Sequence, residues 1–206
     1  MASHTRPTLL IGTRRGLYRA DSDGREYRVT SVGTQSTGEL RCPVIVDCTD
    51  PKVLYAGTVS AGVLRSQNAG ATWEPINTGL TQPEVWWLTQ HPSTGDLWAG
   101  VSPAAIFKST DRGAHWHECE AIQRLPRRPE WSFPPPPHVP HVKHIDLRPD
   151  DPDDVIAAVE EGWLIRTTDG GKTWTNLTNG SEFDSHTAYF MPGSVVRRSR
   201  WRPICG

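Results

Sequence analysis

The side chains best suited to chemistry crowd into the second half of the chain. His138, His141, His144 and Asp146 fall within a single nine-residue stretch, and Asp184 and His186 follow further on. Imidazole nitrogens and carboxylate oxygens are zinc-type ligands, and on a strand His144 and Asp146 point to the same side, which is how a β scaffold would present two of them. Their spacing matches no zinc motif. Hydrogen-bonded or solvated histidines are the simpler reading, so neither a metal nor a cofactor is assigned. Glu84 and Asp184 are the candidate catalytic carboxylates, of the kind that cleave glycosides, although no spacing pairs them. Arg41 adds a positive charge to the candidates for binding a polar ligand.

The elements that must position these groups are set by a repeated octapeptide of the form Ser/Thr-x-Asp/Asn-x-Gly-x-Thr/His-Trp. It occurs at Ser66–Trp73 (SQNAGATW), Ser109–Trp116 (STDRGAHW) and Thr167–Trp174 (TTDGGKTW). In these copies Ser66, Asn68, Gly70 and Trp73 correspond to Ser109, Asp111, Gly113 and Trp116, and to Thr167, Asp169, Gly171 and Trp174. A hydroxyl and a carboxylate or amide that bond nearby backbone amides, followed by a Gly free to take positive φ, make a compact hairpin turn. The Trp then opens the next strand. A degenerate copy, Ala20–Tyr27 (ADSDGREY), keeps the Gly and replaces Trp by Tyr.

Aligning the octapeptides brings four strands per repeat into register. The second unit reads PVIVDCTDP, KVLYAG, GVLRS and EPI; the third VWWLTQHP, DLWAGV, AIFKS and HEC; the fourth VKHIDLRP, DVIAAV, WLIRT and TNL. Repeats of roughly 40–50 residues with four short strands are propeller blades, which bury their faces by stacking on one another. The first unit, TLLIGT, GLYRA and EYRVTSV, lacks its leading strand, and a fifth leading strand is expected at Ser185–Met191 (SHTAYFM). That strand would either close a four-bladed ring against the first unit or begin a further blade. The extra length between Trp116 and Trp174 falls in an insertion at residues 121–140, where Pro134–Pro137 favour a stiff polyproline arm carrying Trp131 and Phe133 as contact residues.

These octapeptides resemble the Asp-box, or BNR, repeats of sialidases, sortilin-type receptors and many bacterial β-propellers. The resemblance implies an all-β propeller whose boxes are structural and lie between third and fourth strands. Ligands then bind at the opposite rim, where the innermost strands begin. Arg41, Glu84, His141 and Asp184 fall at those starts, with His144, Asp146 and His186 further along. Sialidases carry an Arg in a Phe/Tyr-Arg-Ile-Pro motif before a strand; Leu40-Arg41-Cys42-Pro43 keeps the Arg and the Pro but not the aromatic or the Ile. Relatives with six to eight blades imply a longer protein, so residues 1–192 read as about four blades of an incomplete propeller. The Arg-rich residues 193–206 read as a non-repeat, disordered tail from a truncated or frameshifted gene.

Composition narrows the function classes. A net charge of −1 with mixed signs gives no basic stripe for nucleic acid, and the N-terminal apolar run is too short for a signal peptide or a membrane span. Cys42, Cys48, Cys119 and Cys205 form no CxxC pair, which suits free thiols in the cytoplasm. The expected role is a non-catalytic scaffold that binds a protein or carbohydrate and self-associates through open propeller edges. Two alternatives remain, a sialidase-like glycoside hydrolase with its site at the central channel and a truncated fragment without function.

Overall fold

The computed structural model describes residues 8–13, 16–32, 39–40, 44–177 and 184–191. Four antiparallel sheets follow one another in chain order. The first has three strands, β1 (Thr8–Thr13), β2 (Gly16–Ser22) and β3 (Tyr27–Ser31). The second comprises β4 (Ile45–Val46), β5 (Leu54–Gly57), β6 (Val63–Ser66) and β7 (Glu74–Pro75). The third comprises β8 (Glu84–Gln90), β9 (Leu97–Ser102), β10 (Ala105–Ser109) and β11 (His117–Glu118). The fourth comprises β12 (Val142–Leu147), β13 (Val155–Val159), β14 (Leu164–Thr167) and β15 (Thr175–Leu177). Among the described residues no helix is long and apolar enough to cross a membrane.

The second strands explain why the sheets must stack. β9 (LWAGVS) and β13 (VIAAV) are buried at every position, so neither can sit in a sheet with one wet face. Alternation along β9 sends Leu97, Ala99 and Val101 into a cluster with Tyr55 and Val63 of the second sheet. Trp98 goes the other way, to meet Ile145, Val155 and Trp174 of the fourth. Gly100 permits the close approach on that side, since a Cβ there would lie 2.7 Å from Val142 Cγ1. Leu17, Leu40 and Ala56 form a smaller third cluster between the first and second sheets.

Among the described residues no such cluster joins the first sheet to the fourth, and the four sheets make an open arc. The expected strand at Ser185–Met191 belongs to no sheet among the described residues. It runs beside β12, where Phe190 N donates to Asp146 Oδ2 at 2.6 Å, and among the described residues it pairs with no strand of the first sheet, so it closes no ring. Leu9 and Ile11 on β1 and Tyr27 and Val29 on β3 stay exposed.

All three octapeptides form one turn, between third and fourth strands. The first-position hydroxyl of Ser66, Ser109 or Thr167 donates to Asn68, Asp111 or Asp169 at 3.0, 2.8 and 2.7 Å. The same oxygen accepts the amide of Gly70, Gly113 or Gly171 at 2.9, 2.8 and 3.0 Å. The third-position Oδ1 then accepts the backbone amide of Thr72, His115 or Thr173. These bonds hold Asp111 well below the ordinary carboxylate range, led by the His115 amide. Burial opposes ionisation of Asp169, but the bonds from Thr173 and Thr167 outweigh it and take this carboxyl down to about 2. Trp73 and Trp174 donate back to their own Gly carbonyls, whereas Trp116 reaches Ile76 O in the second sheet at 2.7 Å. The degenerate copy turns differently: lacking a hydroxyl at Ala20, it closes on Asp23 Oδ1, which accepts the amides of Arg25 and Glu26.

The insertion departs from its expected form. Short 3-10 turns at Glu120–Arg124 and Arg128–Glu130 fold it down onto the core, and Trp131 is buried with Ile122 and Leu125 rather than displayed as a contact residue. Its proline run bends instead of projecting as an arm, with His138 N donating to Pro135 O at 3.0 Å.

The turn geometry predicts unequal costs of substitution. Ser109→Ala strands the buried Gly113 amide and should cost about 1–3 kcal/mol, while Asp23→Ala, on an exposed turn, should cost under about 1 kcal/mol. Urea melts of the two variants check this, and equal costs would contradict it.

Candidate functional site

The site grows out of an irregularity repeated at the start of two innermost strands. In the third sheet Val85 pairs with Val101 but Trp87 pairs with Gly100, so Trp86 is an extra residue. In the fourth, Val142 pairs with Val159 and His144 with Ala158, which makes Lys143 the extra one. A bulge re-aims its side chain and twists the strand. Trp86 and Lys143 therefore leave the alternation that buries their neighbours and turn to the rim where the inner strands begin. That rim is opposite the octapeptide turns, because strands β8 and β12 start where the third strands also start and the turns lie at the third strands' far ends.

Register then brings three consecutive units together. Counting back from Pro92, Pro149 and Pro192, the same two positions hold Glu84 and Trp86, His141 and Lys143, and Asp184 and His186. In the first pair Trp86 Nε1 donates to Glu84 Oε1 at 3.1 Å. In the last, His186 Nε2 donates to Asp184 Oδ1 at 2.9 Å. The middle pair shares an outside acceptor, Glu160, at the end of β13: His141 Nε2 donates to its Oε2 at 2.6 Å and Lys143 Nζ lies 2.7 Å from the same oxygen.

Stacking joins the units. The Trp86 ring lies over the His141 ring with centroids 3.4 Å apart, and Lys143 Nζ stands 5.3 Å from the Trp86 centroid. Phe133, from the insertion, meets the same His141 ring edge-on at 4.9 Å. His141 is consequently 1% exposed, and burial pushes its pKa below the usual imidazole range despite the pull of Glu160. Burial also opposes the ionisation of Glu160, but Lys143 and then His141 outweigh it and hold the carboxyl below its ordinary range. Glu161 beside it is shifted upward, by burial first and then by the charges of Asp184 and Glu160.

Of the sequence candidates, Glu84, His141, Asp184 and His186 enter this cluster. His144 and Asp146 lie one step further along β12. The His144 ring contacts Trp87 at 4.3 Å and Tyr189 at 4.6 Å, and its buried Nδ1 has no hydrogen-bond partner among the described residues. His138 stays in the insertion, with Nδ1 2.9 Å from Phe133 O. Arg41 falls outside the described residues. Sequence reasoning missed Trp86, Lys143 and Glu160. The first two sit in runs that read as plain strand, and the third stands after the apolar run of β13, where only the antiparallel pairing opposite His141 reveals it.

No protein-family model matches the sequence, and no curated protein matches it. Solved structures do. The GH74 enzyme of Niastella koreensis superposes with a TM-score of 0.63 at 15% identity, over 82% of this chain and 27% of that one. YCF48 bound to D1 peptide gives 0.57 at 17% identity, over 86% of this chain and 52% of that one. A chain of the nidogen/laminin complex gives 0.54 at 12% identity, over 81% of this chain and 58% of that one. At such identities the likeness is one of fold, and the fold is that of β-propellers. This chain spans less than two thirds of each neighbour's length.

Burial lowers the pKa of His144, with Asp146 pulling weakly the other way. The unfolded imidazole therefore takes a proton near pH 6.5 that the folded one refuses, so stability is full above that pH and falls below it. Each such proton steepens the fall by up to about 1.4 kcal/mol per pH unit. Urea midpoints at pH 7.5 and 5.5 should drop less in His144→Gln than in the wild type; an unchanged drop would contradict this account of His144.

Proposed function

We propose that this chain is a non-catalytic binding module whose mouth, built from Glu84, Trp86, Lys143, Glu160 and the 184–186 segment, engages a basic segment of a protein partner. One observation carries the reading: the groups fit for catalysis are spent on one another. His141 is sealed by Trp86 and Phe133, and the Glu160 Oε2 atom is taken up by His141 and Lys143. An indole and several carboxylates with a single lysine line the rim, which suits a cationic, partly apolar ligand. Propeller neighbours support the class of role, since one is bound to a peptide and another belongs to a protein complex. The exposed apolar residues of the first sheet, Leu9, Ile11 and Val29, would give copies of the chain a second surface for association.

A second reading, a glycoside hydrolase, has its own observation. Glu160 and Asp184 bring carboxylate oxygens within 4.8 Å of each other, near the separation of roughly 5 Å that retaining enzymes use. In that reading one of the two would serve as the acid and the other as the nucleophile. Against it, Lys143 and His141 both hold Glu160 Oε2 and draw charge from the carboxylate.

Peptide arrays of basic, acidic and neutral sequence, probed with chelator present, separate these readings. Basic peptides should bind saturably and more weakly as salt rises. Buried aromatic anchors are worth about 2 kcal/mol or more, so Trp86→Ala should lose tenfold or more in affinity, while Glu84→Gln should lose only a few-fold. Turnover of aryl glycosides, abolished by Asp184→Asn, would instead favour the hydrolase.

A further inference from the structure

We infer that Glu160, Asp184 and His186 form a binding site for a single zinc-class divalent cation, which fastens the 184–191 segment to the end of β13. The inference stands on geometry and goes beyond the peptide-binding reading, whose mouth includes the same side chains; titration with zinc alone, without peptide, tests it separately. His186 Nε2 lies 2.9 Å from Asp184 Oδ1 and 3.4 Å from Glu160 Oε1, and one ligand atom from each of the three falls within 4.8 Å of the others. A tetrahedral ion with bonds of about 2.0–2.1 Å wants its ligand atoms a little over 3 Å apart, so small movements suffice. Two carboxylate oxygens and one imidazole nitrogen leave a fourth position for water, a donor set that suits zinc better than the hard cations calcium or magnesium, which prefer oxygen alone.

The second observation is the division of labour on Glu160. This side chain is buried, and its Oε2 is held by His141 Nε2 at 2.6 Å and Lys143 Nζ at 2.7 Å. The other oxygen, Oε1, is thereby turned toward His186. Outer groups that orient a ligating carboxylate in this way are what a metal site requires around its ligands. The negative charges of Glu160 and Asp184 exceed the single positive charge of Lys143, so a divalent ion is electrostatically favoured. On binding, the His186–Asp184 hydrogen bond is exchanged for coordination, with the imidazole proton carried on Nδ1 and Nε2 given to the ion.

Asp184 and His186 are about half exposed, so changing them does not threaten the core. Isothermal titration of chelator-stripped full-length protein with zinc chloride should show one site, weakened at least tenfold in His186→Ala, in Asp184→Asn and in Glu160→Gln. His115→Ala, in the separate exposed His115–Asp111 pair, should bind as the wild type does. Near-ultraviolet circular dichroism verifies that each variant is folded. Absence of saturable binding, binding indifferent to the three substitutions, or equally tight binding of calcium would overturn the site.

Discussion

No sheet of this protein can bury its own faces, and the remaining architecture follows from that constraint. β9 and β13 are buried at every position, so their sheets must be covered on both faces. Strand order and turn positions are consequences of stacking like registers side by side. The octapeptide turn makes the register reproducible. Its hydroxyl satisfies the glycine amide and the carboxylate or amide at once, leaving no loose polar group where sheets must pack. Charged pairs on the surface are worth far less than these buried bonds, since exposed pairs contribute about 0–1 kcal/mol.

The same repetition aims the mouth. Because β8 and β12 start at the same rim, residues from neighbouring units meet there, and unlike residues make chemistry out of symmetry. In the third sheet the position holds Glu84 with its bulged Trp86; in the fourth it holds His141 with Lys143. Stacking of Trp86 on His141 welds the two units across the channel rim, and the insertion contributes Phe133 as a lid on the same ring. The result is a rigid, acidic and aromatic patch opposite the turns.

Much of the fold was legible because the turn chemistry is local. Hydroxyl, carboxylate and glycine at fixed offsets named the hairpins, and the apolar runs before them named the strands. The mouth was legible in part: Glu84, His141 and Asp184 could be found by counting back from the strand-ending prolines. Trp86 and Lys143 could not, because a bulge leaves no mark in a sequence that otherwise alternates. Glu160 depends on a cross-strand pairing, and Trp131 was misplaced because an indole in a proline-rich loop reads as exposed until the core beneath it is known.

The central claim is that equivalent positions of successive units converge on one rim, and nuclear Overhauser measurements between aromatic side chains test it most directly. The account predicts cross-peaks between the Trp86 indole and His141 imidazole, whose centroids lie 3.4 Å apart, and between the His144 and Tyr189 rings at 4.6 Å. Absence of both, in a protein whose strand amides remain protected, would contradict it.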